Sequence, residues 1–296
     1  ETKIEMGDRL VFIAREFAET TPPNGFVADP QDKGAAGAVK NIDQERRLLV
    51  LGWSHRAPAL LSEFDRYAGE RFEIDVMSFV AAAERQSQLD SHDVRLERVR
   101  LHHCEGDFTA PVELKRLRPE SYDGIVILGS DWLESAEQSD ARTVLGHLLL
   151  RELIGEDGPQ VLVELMDPEN VALFAQSPSE TLVSPQIISH MLAQIALRRE
   201  LRVVFDELFG PGGAEISFHS IAEYGLAGRV SFAQVQAAAM ARGETALGLR
   251  QRDGLHLNPD KGRPWELSPD DELIVLATYE QGTGIESEPH TKEVFE

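Results

Sequence analysis

A single cysteine, Cys104, among 296 residues excludes an intrachain disulfide framework and the usual multi-cysteine zinc sites. It is compatible with a reducing compartment such as the cytoplasm. No stretch approaches the roughly 18 to 20 consecutive apolar residues of a membrane-spanning helix, and Glu1 opens neither a signal peptide nor a chain with an initiating Met. Basic residues are also short: 29 Lys and Arg against 51 Asp and Glu give a formal charge of −22. That charge repels nucleic acid and anionic lipid heads and favours cations or basic partners. Catalytic signatures are missing as well. There is no Gly-x-Ser-x-Gly elbow, HExxH helix or EF-hand loop, and Gly34 to Lys40 lacks the spacing and setting of a phosphate loop. Nothing pairs a nucleophile with its base, so a non-enzyme is expected.

What is present is a hydrophobic content of 42%, enough for a full core in one large or two smaller domains. From Arg47 apolar runs alternate with amphipathic stretches, the pattern of a parallel sheet with helical crossovers. The expected fold is α/β, a Rossmann-like doubly wound parallel sheet followed by a small α+β lobe. Strands are predicted at Arg47 to Trp53, Arg71 to Met77, Val94 to His102, Gly124 to Gly129 and Gln160 to Leu165. Helices are predicted at Ala57 to Tyr67, Pro111 to Leu117, Asp140 to Leu153, with Val144, His147, Leu148 and Leu149 inward, and Pro185 to Leu201; Asp90 to Asp93 reads as a turn. In the smaller lobe Glu215 to Ile221, Ala246 to Leu249 and Glu272 to Ala277 read as strands, with a helix from Phe232 to Arg242 ended by Gly243.

The expected division is a terminal strand of a preceding module over 1–19, a linker over 20–46, the Rossmann-like lobe over 47–203, the small lobe over 204–281 and a loose tail over 282–296. The first piece rests on a repeat. GDRLVFIA at Gly7 to Ala14 matches DDELIVLA at Asp270 to Ala277, an acidic turn entering an apolar strand, so the chain reads as the end of one module plus a whole second one.

A Rossmann turn that holds a dinucleotide brings backbone to the pyrophosphate through Gly-x-Gly-x-x-Gly. Here it reads Gly52-Trp53-Ser54-His55-Arg56-Ala57-Pro58, with only the first glycine and with Trp53 in the way, which counts against NAD; Arg56 at the helix start could hold another anion. Asp75 stands where a ribose-binding acid would. Successive His102, His103 and Cys104 on a strand face opposite sides and do not converge on a metal. Acids gather at the ends of the fourth and fifth strands: Asp131, Glu134, Glu137 and Asp140, then Glu164, Asp167 and Glu169. Ligand crevices of open α/β sheets lie at those ends, and calcium takes about six to eight oxygen ligands in flexible geometry. An acidic surface on a chain acidic throughout is the alternative.

The blocks LLVLGWSHRAPALLSEFDRYAG, DGIVILGSDWLESAEQSDARTVLGHLLLREL, VELMDPEN, SPQIISHMLAQIA, VFDELFGPGGAEISF and NPDKGRPWELSPDDELIVLA resemble, in this order, the cytosolic region of Castor/Pollux-type ion channels. The resemblance runs from about Arg47 to Ala277. It implies an RCK-type regulatory region that self-associates into a tetrameric or larger gating ring with a first RCK module, bound to a membrane only through a pore domain that this chain lacks. It also implies a cation ligand. In related calcium-gated potassium channels calcium is held by an aspartate like Asp140 (SDART) and a glutamate like Glu164 (VELM). The second glutamate of that motif is Met166 here, so Asp167 or Glu137 would have to substitute. Two rivals remain: an NAD-dependent oxidoreductase or NAD sensor on the same fold, and a dimerisation module without a ligand.

Overall fold

Strand β1 (Gln44–Leu51) turns from charged to apolar within a few residues, and Leu49, Val50 and Leu51 are buried. In the computed structural model, described over residues 44–67, 70–210 and 213–278, it is the hub of a six-stranded parallel sheet. The other strands are β2 (Glu70–Ser78), β3 (Val99–Glu105), β4 (Gly124–Ile127), β5 (Gln160–Leu165) and β6 (Glu180–Val183), in the order β3-β2-β1-β4-β5-β6. Alternate residues of a strand face opposite ways, and the apolar runs of β1 and β4 meet a covered face on either side, while β2, β3 and β6 carry charged or polar residues among the apolar ones. Leu49, Leu51, Ile125, Ile127, Val161 and Val163 pack on one face with α4 (Ala136–Ile154). Val50, Ile74 and Val76 pack on the other with α1 (Ala57–Arg66) and α2 (Ala82–Ser91). Because β1 pairs with β2 on one side and β4 on the other, the chain reverses its direction of travel between β1 and β4, where a crevice opens at the strand ends.

Several elements differ from the sequence expectation. Helix α2 was unforeseen because AAERQSQLDS buries only Arg85 and Leu89, too few apolar positions to betray a period. The third strand begins at Val99, not Val94: the Asp65 carboxylate accepts the backbone N–H groups of Glu97, Arg98 and Val99 at 2.7, 2.6 and 2.9 Å, fixing that approach as a turn. Helix α4 starts at Ala136, with Ser135 as its N-cap accepting from Gln138 N. Its buried stripe is Ser139, Asp140, Thr143, Gly146, His147 and Leu150, while Leu148 is 60% exposed. The short helix α3 (Pro111–Arg116) stands as expected. Strand β6 was missed. The long helix expected from Pro185 to Leu201 is two, α5 (Ser184–Leu197) and α6 (Leu201–Phe209), broken at Arg198.

Residues 213–278 form a second compact unit. Its four-stranded sheet has the order β10-β9-β12-β7, from β7 (Glu215–Ser220), β9 (Thr245–Gln251), β10 (Gly254–Leu257) and β12 (Glu272–Ala277), all antiparallel. β8 (Gly228–Ser231) and β11 (Pro264–Leu267) pair separately. α7 (Phe232–Met240) opens on a Ser231/Gln234 capping box and buries Phe232, Val235 and Ala239 against Leu249, Leu273 and Val275. The opening repeat, the 20–43 stretch and the tail from 279 lie outside the described residues; the second copy of the repeat is β12 with the turn before it.

Candidate functional site

The crevice is bounded by the loops after β1, β4 and β5 and by the start of α5. Gly52 has φ +104°, and a Cβ there would lie 2.7 Å from the Leu128 carbonyl oxygen, so glycine is demanded by the end of β4. Trp53 is buried; its indole N–H donates to Gln88 Oε1 at 2.8 Å and its carbonyl accepts from Trp132 Nε1 at 2.7 Å. The ring thus fills the space beside the turn, held by α2 through Gln88, while the loop after β4 holds the Trp53 backbone through Trp132. Arg56, the residue before α1, reaches across to β5 and brings its Nη2 to 2.9 Å from Glu164 Oε1. The approach is off the hydrogen-bonding direction, so the two interact as an ion pair.

Glu164 is 6% exposed. Its Oε2 accepts the backbone N–H of Gly129 at 2.9 Å and its Oε1 accepts the Ser184 hydroxyl, which joins β4, β5 and α5 at one carboxylate. Asp140, 2% exposed on α4, accepts from Met166 N at 2.8 Å, Asp167 N at 3.0 Å and Asn170 Nδ2 at 2.7 Å, pinning the segment after β5. Beside it Ser139 Oγ accepts from Ser130 N at 2.8 Å, and Asp131 accepts from His55 N at 2.8 Å. Three loops are tied together by side-chain acceptors on backbone N–H groups.

Of the four residues predicted as metal ligands, Asp140 and Glu164 lie in this network. Asp167 accepts from Glu169 N at 2.9 Å and caps the 3-10 turn over 168–174. Glu137 lies on the solvent side of α4, its carboxyl held below the usual range by the Ser135 hydroxyl. The oxygens of Asp140 and Glu164 point at N–H and O–H donors and at a guanidinium, an environment built for anions. In this arrangement they do not fit a calcium ion, and among the described residues no group of three or more His, Cys, Asp or Glu side chains is placed to hold a metal.

Asp75 does not face the crevice as a ribose acceptor: its carboxylate accepts the Tyr122 hydroxyl, and burial together with that carboxylate raises the phenol above its ordinary range. His102 lies 3.5 Å from Glu73, while His103 packs edge-on to Trp53, its ring held neutral by burial and by Arg85. Arg85 gave no sequence signal. Fully buried, it donates to the carbonyls of Val76 at 2.7 Å and Cys104 at 3.0 Å and lies over the Trp53 ring, closing the ends of β2 and β3. Gly129 and Ser184 were missed too, because a backbone N–H and a single serine have no motif.

No family model matches the chain. It is 27% identical over 274 residues to the ion channel CASTOR of Lotus japonicus, covering 79% of this chain and 32% of that protein. It is 24% identical to a probable ion channel POLLUX of Oryza sativa subsp. japonica, covering 93% of this chain and 32% of that one. The chain is a relative of the Castor/Pollux ion channels. It spans about a third of the length of these curated Castor/Pollux proteins. The human SLO3 gating ring superposes with a TM-score of 0.57 at 11% identity, over 79% of this chain and 44% of that one, a likeness of fold. Among the described residues no helix is long and apolar enough to cross a membrane.

Proposed function

We propose that this chain is a cytosolic ligand-sensing unit of a Castor/Pollux-type cation channel, and that it joins further copies in a gating ring that couples ligand binding to pore opening. The observation that carries the reading is the surface of α5 and α6. Neither helix buries a single residue, and Ile187, Ile188, Leu192, Leu197, Val203 and Phe209 are exposed, Leu192 by 63%. A patch of this kind marks an interaction surface.

Charge favours another copy as the occupant. The α5 segment carries no Asp, Glu, Lys or Arg, on a chain of net charge −22. Two such chains repel everywhere except through a neutral patch, whereas a basic partner would be met by an acidic one. The tied loops supply the second half of the coupling. A ligand that binds better when the ties from Asp131, Asp140 and Glu164 are made, or better when they are released, shifts that equilibrium by its ratio of affinities. No covalent chemistry is required.

Sedimentation velocity across a concentration series tests the assembly. Self-association is expected, and Ile188→Glu with Leu192→Glu should abolish it without changing the far-ultraviolet circular dichroism. A wild-type chain that stays monomeric up to about the 100 μM range, where weak protein contacts register, would remove the basis for the reading.

A further inference from the structure

On α4, His147 and Arg151 stand one turn apart and reach the same place, the connection 175–179 that leads into edge strand β6. Arg151 directs Nε and Nη2 at a single atom, Ser179 Oγ, at 3.1 and 2.7 Å. His147 Nε2 lies 2.9 Å from the same Oγ and 3.2 Å from Ser177 Oγ. The third Arg151 nitrogen donates to the Gly155 carbonyl at 3.2 Å.

A hydroxyl oxygen can take the two Arg151 donors only by giving its own proton to His147, so the ring is neutral there. The arrangement is saturated but mismatched. A guanidinium fork suits two oxygens of one anion, and here both prongs converge on one neutral atom. Among the described residues no carboxylate pairs with Arg151; Glu156 acts on it only through space, and burial lowers its affinity for the proton. The connection is reachable from outside, since Gln176, Pro178 and Glu180 are exposed and both serines are half-buried.

We propose that Ser179 is a phosphorylation site whose phosphoryl group is received by the Arg151 fork. A kinase transfers the γ-phosphoryl of a nucleoside triphosphate to Oγ. The Oγ–P bond forms as the bond to the nucleoside diphosphate breaks, and the hydroxyl proton leaves to the kinase's base. The product carries close to two negative charges and three acceptor oxygens, two for the fork and one for His147, whose Nε2 then becomes a donor. Ser177 is the weaker acceptor, since its Oγ meets His147 and the Ser179 backbone N–H but no guanidinium. Since Ser179 immediately precedes β6, which runs into α5, the added charge would brace α4 against the strand that carries the exposed helix.

The test is to install phosphoserine genetically at 179, or at 177 as the control, in the full chain. The second ionisation of each is followed by phosphorus NMR, and thermal midpoints are taken in parallel. At 179 the ionisation should fall at least about half a pH unit below that of a free phosphoserine peptide, as for an anion beside a guanidinium, and the thermal midpoint should rise. Arg151→Gln should return the ionisation to the peptide value and Arg151→Lys should retain part of the shift. Each variant is compared with its own unmodified form, so that a folding defect cancels. A peptide-like ionisation at 179, a larger shift at 177 or a lowered midpoint overturns the proposal. So does an Arg151-dependent stabilisation of the unmodified chain by millimolar inorganic phosphate equal to that of the covalent form, which would make this a free-anion site.

Discussion

The Arg56 guanidinium lies 2.9 Å from the Glu164 carboxylate, so the residue that opens α1 is bound to the middle strand of the neighbouring half of the sheet. Glu164 is the better buried partner, while about a third of the Arg56 side chain meets solvent. The pair closes the crevice at the point where the strand order reverses.

Arg56→Gln leaves Glu164 charged and short of its counter-ion. Stability should fall by about 1–3 kcal/mol, below the full cost of breaking a buried pair because Arg56 is partly solvated. Glu164→Gln should cost about as much, since an amide cannot serve Gly129 N, the Ser184 hydroxyl and Arg56 together. Urea denaturation checks both, and the double variant should lose less than the sum.

Asp140→Asn replaces an acceptor of three donors with a group that points an NH2 at one of them, and a loss of about 2–4 kcal/mol is expected. Because those donors and not a cation satisfy the carboxylate, the loss should be the same in EDTA as in millimolar calcium. A calcium-dependent difference between wild type and variant would show that the loops rearrange around the ion.

Gly146 sits inside α4, where alanine would ordinarily stabilise by up to about 1 kcal/mol. Here a Cβ would lie 2.5 Å from the ring of buried Phe108. Gly146→Ala should therefore destabilise by about 1–3 kcal/mol. Adding Phe108→Leu should recover part of the loss, read from the thermal midpoints of the three proteins.

His147 is pulled down to about 4, first by burial and then by Arg151. Its folded value lies below the ordinary value of about 6.5, so between the two the unfolded chain binds the proton and the fold does not. Stability contributed by keeping the ring neutral is full above about pH 6.5, falls as the pH drops towards 4 and changes no further below it. The loss is at most about 3 kcal/mol. His147→Gln should flatten this part of the profile in chemical denaturation at fixed ionic strength.

Strands β1, β4 and β5 could be read because Leu48–Leu51, Gly124–Leu128 and Val161–Val163 are apolar without interruption, the pattern of strands packed on both faces. β6 escaped because its four residues, ETLV, are too few to display a period. α4 was found, and Val144, His147 and Leu149 face the core as expected, whereas Leu148 does not. Buried Ser139 and Asp140 are polar and satisfied by backbone N–H groups of the loops after β4 and β5, while Leu148 is apolar and exposed, so hydrophobicity alone did not show the whole stripe.

The amino-acid order by itself determined the alternating α/β pattern, the negative charge and the gathering of Asp140 and Glu164 near strand ends. These follow from local periodicity and composition. Only the tertiary structure decided what those carboxylates do. Their partners are backbone N–H groups of Gly129, Met166 and Asp167 and the guanidinium of Arg56, the residue before α1. A backbone N–H is common to nearly every residue, so its direction, and hence whether an acid meets a cation or a hydrogen-bond donor, comes into being only when the loops are folded together.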